Sequence, residues 1–317
     1  MRLVWIVVFA ICLISIGTDT FANKPIPPNA ISGRIGEQIQ PSDVYARALW
    51  LEKEIRLLAK DPMLGAMYEP AYQVDNAHPR EVFFLAKSLI GKAQRLSFEH
   101  TKSLGGKGIL ASTYRDKPVY VFKALDQVMV SIWQVKQSMD ITQEIQEVPI
   151  NNATPTDVYN QLLINSRLIS VLNSNRVEPS DVIRIVDYTY EVAMALHQEL
   201  NSGKFFDPRL IDQEAFTDKT PEDVSNQLIS LIELLNKYAY KNFQREIMTI
   251  TKQDVKREIY PSDVIDLASI ISAELTFMAH TSFVKVQDVH KKRKEEVTPN
   301  NVFKMINNIR SVLEQNI

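Results

Sequence analysis

The sequence predicts an all-α protein built as two tandem, internally duplicated four-helix bundles, and three observations lead there. A short phrase (proline, any residue, an acid, valine) returns eight times with variations. An apolar stripe at helical spacing follows each copy. The distance between copies is nearly constant except once, in the middle of the chain.

The phrase is a helix entrance. Its prolines are Pro41, Pro79, Pro118, Pro155, Pro179, Pro221, Pro261 and Pro299. Proline is favoured at the first helical position, where a backbone N–H has no intrahelical partner to lose. The preceding residue is then the N-cap, and Thr154, Thr220 and Thr298 are suited to accept a backbone N–H there. The acid falls at the third helical position, as Asp43, Glu81, Asp157, Asp181, Asp223 and Asp263, where a carboxylate meets free N–H groups and the positive end of the helix dipole. Asn301 stands in for the acid in the last copy, and Tyr120 replaces it in the third. These acids are therefore assigned to helix capping and not to catalysis. The valine follows at the fourth position, where a hydrophobic staple joins it to the residue before the cap: Ile39 with Val44, Val177 with Val182, Ile259 with Val264, Val297 with Val302.

Counting from each valine, the positions four, seven, eleven and fourteen residues on are apolar, as a helix running along a bundle seam requires. The first copy gives Val44, Ala48, Leu51, Ile55 and Leu58, and the third Val121, Leu125, Val128, Ile132 and Val135. Asn165 and Thr189 are polar breaks in the fourth and fifth stripes. No segment of similar length alternates with a period of two, so no sheet is expected.

The proline spacings are 38, 39, 37, 24, 42, 40 and 38 residues. The short fourth interval splits the helices into two sets of four, and corresponding prolines across it are offset by 138, 142, 143 and 144. Four amphipathic helices close a core. The expected organisation is a signal peptide over residues 1–22, an extended linker over 23–38, one bundle over 39–175 and a second over 176–317. An α-solenoid of helical repeats is the rival, since a period near 39 suits two-helix units. It needs a second helix in each interval, and segments such as DPMLGAMYEPAYQVDNAH (61–78) and TKSLGGKGILASTYRDK (101–117) lack the helical period.

The N-terminal stretch carries one Arg, an apolar run from Leu3 to Gly17 and the small-residue ending Thr20-Phe21-Ala22. It reads as a cleavable signal peptide with a cut after Ala22. The run is shorter than the roughly 18–20 residues that span a bilayer. The expected location is periplasmic or secreted, with no integral membrane segment after cleavage. The single cysteine, Cys12, lies in the leader, so the mature chain has no thiol for disulfides, nucleophilic catalysis or metal ligation. Net charge is −2 with both signs interspersed, which gives no field for nucleic acid.

Chemistry is sparse. His78, His100, His197, His280 and His290 show no metal-ligand spacing, and SLGGKG at 103–108 lacks the Ser or Thr that a phosphate loop needs after its lysine. No catalytic residue, metal or cofactor is assigned. His197, beside the fifth stripe, is read as a packed histidine in preference to a haem or metal ligand. Trp50, Trp133 and Tyr188 lie off the predicted seams, and Tyr45 and Tyr159 stand one residue past their valines. These five aromatics are the candidate ligand- or partner-binding residues; packing under the long connections is the competing reading. Glu54 and Glu274, both ten residues past their valines, are read as interhelical ion-pair partners. The function expected is an exported, non-enzymatic bundle that binds an unidentified protein or small molecule through its loops and aromatic residues. A structural or scaffolding envelope component is the first alternative, and a haem- or metal-binding or enzymatic bundle the second.

Overall fold

Each recurrent proline opens a helix in the structure, a computed structural model that describes residues 39–59, 68–103, 114–174, 176–204, 206, 216–286 and 296–317. The predicted signal peptide, Cys12 and the linker lie outside these residues. The helices are α1 (Pro41–Leu58), α2 (Pro79–Thr101), α3 (Pro118–Ser138), α4 (Pro155–Leu172), α5 (Pro179–Leu200), α6 (Pro221–Phe243), α7 (Pro261–Thr281) and α8 (Pro299–Glu314). The fold is all-α.

Every fourth-position valine is at most 2% exposed: Val44, Val82, Val121, Val158, Val182, Val224, Val264 and Val302. The stripes behind them are buried with few exceptions, among them Leu172 at the end of α4. The acids meet the N-cap amides as their position demands. The N–H of Gln40 donates to Asp43 Oδ2 at 2.8 Å, His78 to Glu81 Oε2 at 2.6 Å, Thr154 to Asp157 Oδ2 at 2.7 Å and Glu178 to Asp181 Oδ2 at 3.1 Å. Thr220 to Asp223 at 2.8 Å, Tyr260 to Asp263 at 2.9 Å and Thr298 to Asn301 at 2.8 Å repeat the pattern.

The helices pack as two squares: α1 and α2 each touch α3 and α4, and α5 and α6 each touch α7 and α8. Within each square the helices run the same way. Arg47 and Glu54 of α1 meet Asp126 and Lys136 of α3 in matching order. Ala77, just before α2, and Lys92 and Arg95 on it meet Thr156 and Ser166 of α4 and Arg176 just past it, in the same order. The N-caps of α1 and α4, Gln40 and Thr154, line one cleft. In the second square Lys219, Gln227, Ser230 and Asn242 pair with Asn300, Asn307, Arg310 and Asn316 along α6 and α8. The ends of α5 and α8 also meet, at Asn201 and Asn316.

Parallel neighbours explain the long connections. The chain must return one helix length before it can start again, and a 21-residue helix such as α3 is about 32 Å long at 1.5 Å per residue. Residues 139–154 make that return along α1: the indole N–H of Trp50 donates to the Ile145 carbonyl at 2.7 Å, and Arg47 Nε to Glu147 Oε1 at 3.0 Å. Four N-termini thus share one end of each square, where their partial positive charges add, and a carboxylate at the third position offsets them. The phrase recurs because the topology repeats one electrostatic problem.

The two squares point in opposite directions. Arg80 and Lys92 of α2 meet Glu274 and Asp266 of α7 in reverse order, while the short α4–α5 junction turns the chain around. The expectation of no sheet is corrected where returns of the two squares meet. Strands β1 (Tyr72–Asp75) and β2 (Thr249–Lys252) pair antiparallel, Tyr72 opposite Lys252 and Asp75 opposite Thr249. Four residues are too few to set up a visible alternation, and the partners belong to returns far apart in the chain. Only their meeting between the two squares makes them strands. Asn160 of α4 secures β1 by bonding both the N–H and the carbonyl of Val74, each at 3.1 Å.

Among the described residues α7 alone is long and apolar enough to cross a membrane, with a mean hydropathy of 1.2, and 83% of that window is buried against this chain's own helices.

Candidate functional site

The N-terminal end of the first square carries an open cleft of about 440 Å³ between the starts of α1 and α4. Gln40, Pro41 and Ser42 form one wall, and Asn151, Asn152, Ala153 and Thr154, the last residues of the 139–154 return, form the other. The lining is uncharged and rich in amides and hydroxyls. Asp43 and Asp157 already occupy the cap amides beneath it, so the end attracts anions less than bare helix termini do. Ser42 is 8% exposed, lines the cleft, and has no hydrogen-bond partner among the described residues. Its hydroxyl faces the open cleft, where a ligand atom can donate to it or accept from it in place of water.

Behind that wall sits a buried charge cluster. Arg47 of α1 is fully buried and bonds Glu147 from the return and Asp126 from α3, while its guanidinium lies 5.1 Å from the Trp50 ring and 4.2 Å from the Phe122 ring. Burial, with Glu147 adding to it and Arg47 opposing it, pushes the Asp126 carboxyl up to about 6. Burial likewise raises Glu147. Guanidinium, carboxylates and aromatic rings together hold the return segment on α1 and so shape the cleft wall.

The five candidate aromatics divide. Trp50 is 3% exposed and meets Trp133 edge-on at a centroid distance of 6.0 Å. Tyr159 and Tyr188 are 0% and 4% exposed, Tyr188 facing the Thr276 hydroxyl at 3.5 Å. Tyr45 and Trp133 are half-buried. Trp50, Tyr159 and Tyr188 occupy packing positions with at most 4% of their surface exposed, and Tyr45 and Trp133 keep more of theirs open to a partner. Burial raises the Tyr159 phenol, with Asp266 next in effect.

Glu54 bonds Lys136 Nζ at 2.6 Å inside the first square. Glu274 takes a two-pronged contact from Arg80, 3.0 and 3.2 Å, between the squares. The second inter-square pair joins Lys92 to Asp266: the ammonium donates to Asp266 Oδ1 at 2.9 Å, Ser166 Oγ at 2.5 Å and the Ser262 carbonyl at 3.1 Å. Sequence reasoning did not single out Lys92, although it occupies the same tenth position past its valine as Glu54 and Glu274. That shared register was the available signal. The capping acid Asp263 also serves twice, since Arg257 clamps both its oxygens at 2.8 and 2.9 Å.

His197 is buried, and its Nδ1 lies 2.9 Å from the side-chain amide nitrogen of Asn316. Burial lowers its basicity. Among the described residues no three His, Cys, Asp or Glu side chains are grouped to hold a metal ion.

In comparisons with protein-family models, curated proteins and solved structures, none matches this chain.

Proposed function

We propose that the chain is an exported, periplasmic helical protein that binds a neutral, hydrogen-bonding group of a protein or small-molecule partner, without catalysis. The observation that carries this reading is the uncharged cleft at Gln40–Ser42 and Asn151–Thr154, with the Ser42 hydroxyl facing it and unmatched within the described residues. Amide and hydroxyl walls offer donors and acceptors together, as a peptide main chain or a polyol requires. The export half of the reading rests on the leader Leu3–Ala22.

The test is native mass spectrometry of protein recovered from the host envelope, run on the wild type and on Ser42→Ala/Asn152→Ala. A retained mass on the wild type that the double variant loses supports the binding reading. Equal retention by both places the ligand elsewhere and refutes the cleft. A structural role in an envelope assembly is the second reading, favoured by Phe283 at 93% and Tyr240 at 60% exposure. It predicts higher assemblies in the same spectra and no small mass.

A further inference from the structure

Where the N-terminal end of the first square meets the C-terminal end of the second, two arginines share one aromatic ring. The guanidinium of Arg80, at the start of α2, lies 4.5 Å from the Phe277 ring of α7, and that of Arg245, just past α6, lies 4.1 Å from it. Their situations differ. Arg80 is 6% exposed and committed to Glu274 and Glu81. Arg245 is half-buried and, among the described residues, forms no hydrogen bond or ion pair. Tyr114 packs beside it, its ring 5.6 Å from Phe277 and stacked 4.9 Å from His280, and its hydroxyl is buried without a hydrogen-bond partner. The phenol is pushed up to about 12 by burial and then by Asp116, while Arg80 and Arg245 oppose that shift, which places the oxygen within the field of both cations.

We propose that Arg245 and Tyr114 form a binding site for a single anionic oxygen group, a carboxylate or a phosphate, resting on the Phe277–His280 face of α7. A guanidinium already laid against a ring is held in place, so it loses little freedom on binding. An oxyanion answers two needs at once, because it supplies the direct ion-pair partner that Arg245 does not have among the described residues and an acceptor for the Tyr114 O–H. Like charges make the pocket selective by sign: Arg80 beside Arg245 lowers the affinity of Arg245 for its proton after burial has done so. The nearby carboxylates leave room. Glu81 and Glu274 are engaged by Arg80, and Asp116 is exposed at the rim. This site is separate from the cleft at α1 and α4 and stands without it.

The experiment follows the Arg245 Nε–H signal by NMR in the purified protein, titrated at constant ionic strength with inorganic phosphate and, separately, with acetate. A saturable shift with either anion is the expected result, and which anion saturates first tells phosphate from carboxylate. Tyr114→Phe should raise the dissociation constant roughly tenfold, the loss of one charge-assisted hydrogen bond. Arg245→Gln, followed through the His280 ring signals, should abolish the response, and Arg245→Lys should keep part of it. A shift no larger than sodium chloride produces, or an Arg245→Gln variant that binds as well as the wild type, overturns the assignment.

Discussion

Replacing Lys92 with methionine tests whether the buried ion pair between α2 and α7 governs how the two squares dock. Lys92 and Asp266 are each 5% exposed, and the ammonium places its three protons on Asp266, Ser166 and the Ser262 carbonyl. Methionine keeps the volume and removes the charge, leaving Asp266 with the hydroxyls of Ser166 at 2.6 Å and Ser88 at 3.2 Å. Removing one partner of a buried pair costs about 3–5 kcal/mol, a large share of a typical 5–15 kcal/mol total. Asp266→Asn alone strands the ammonium and should cost a similar amount. The double variant loses both charges yet keeps an amide for the serines, so its loss should fall well short of the sum of the two. The pH dependence carries a sign. Burial already raises the Asp266 carboxyl, and Lys92 is the chief group opposing that rise. Without Lys92 the folded-state value climbs further above the unfolded one. Stability of Lys92→Met is then greatest below the unfolded carboxylate range and is lost as pH rises through the folded value. Urea unfolding followed by circular dichroism, at pH 5 and pH 7.5, measures all of this. A single-variant loss under about 1 kcal/mol at pH 7.5, or strict additivity in the double, refutes the reasoning.

Two further outcomes follow from the same physics. Asp126, whose carboxyl sits at about 6, contributes stability that is present below the unfolded value near 3.8 and lost as pH rises to 6; the full shift is worth at most about 3 kcal/mol. The wild type should therefore melt higher at pH 4.5 than at pH 7.5, with a flatter profile in Asp126→Asn; an unchanged profile in the variant assigns the slope elsewhere. Thr154→Ala and Thr220→Ala, whose hydroxyls each accept the third-position N–H at 3.2 Å, should each cost about 1 kcal/mol by chemical denaturation, without altering helix content at 25 °C.

Much of this architecture was legible locally. A proline, an acid and a valine set four backbone positions in a row, so all eight helix starts could be read from neighbours in the chain. The stripes behind them have a period that only one secondary structure satisfies. Glu54 and Glu274 announced interhelical pairing because a charge beside a seam needs a partner, and both found one. The two strands could not be read, because Tyr72–Asp75 becomes a strand only when residues near 250 arrive beside it. No residue near Arg47 in the chain marks it for burial; its carboxylates at 126 and 147 are brought to it by the fold alone.

The same division applies to the candidate sites. By itself the sequence determined that the chain forms eight proline-led, amphipathic helices in two sets of four, seven of them with a capping side chain at the third position, since capping and periodicity act within a few residues of each other. The tertiary structure decided that the helices in each set run parallel, that long returns lie along them, and that the two sets face opposite ways. It also decided where function has room: a polar cleft between residues 40–42 and 151–154, and a cation beside an orphaned phenol contributed by residues 245 and 114. Those groups lie more than a hundred residues apart, and no local rule couples them. Packing of α4 beside α1 within the first square brings the first pair together, and packing of one helix square on the other brings the second.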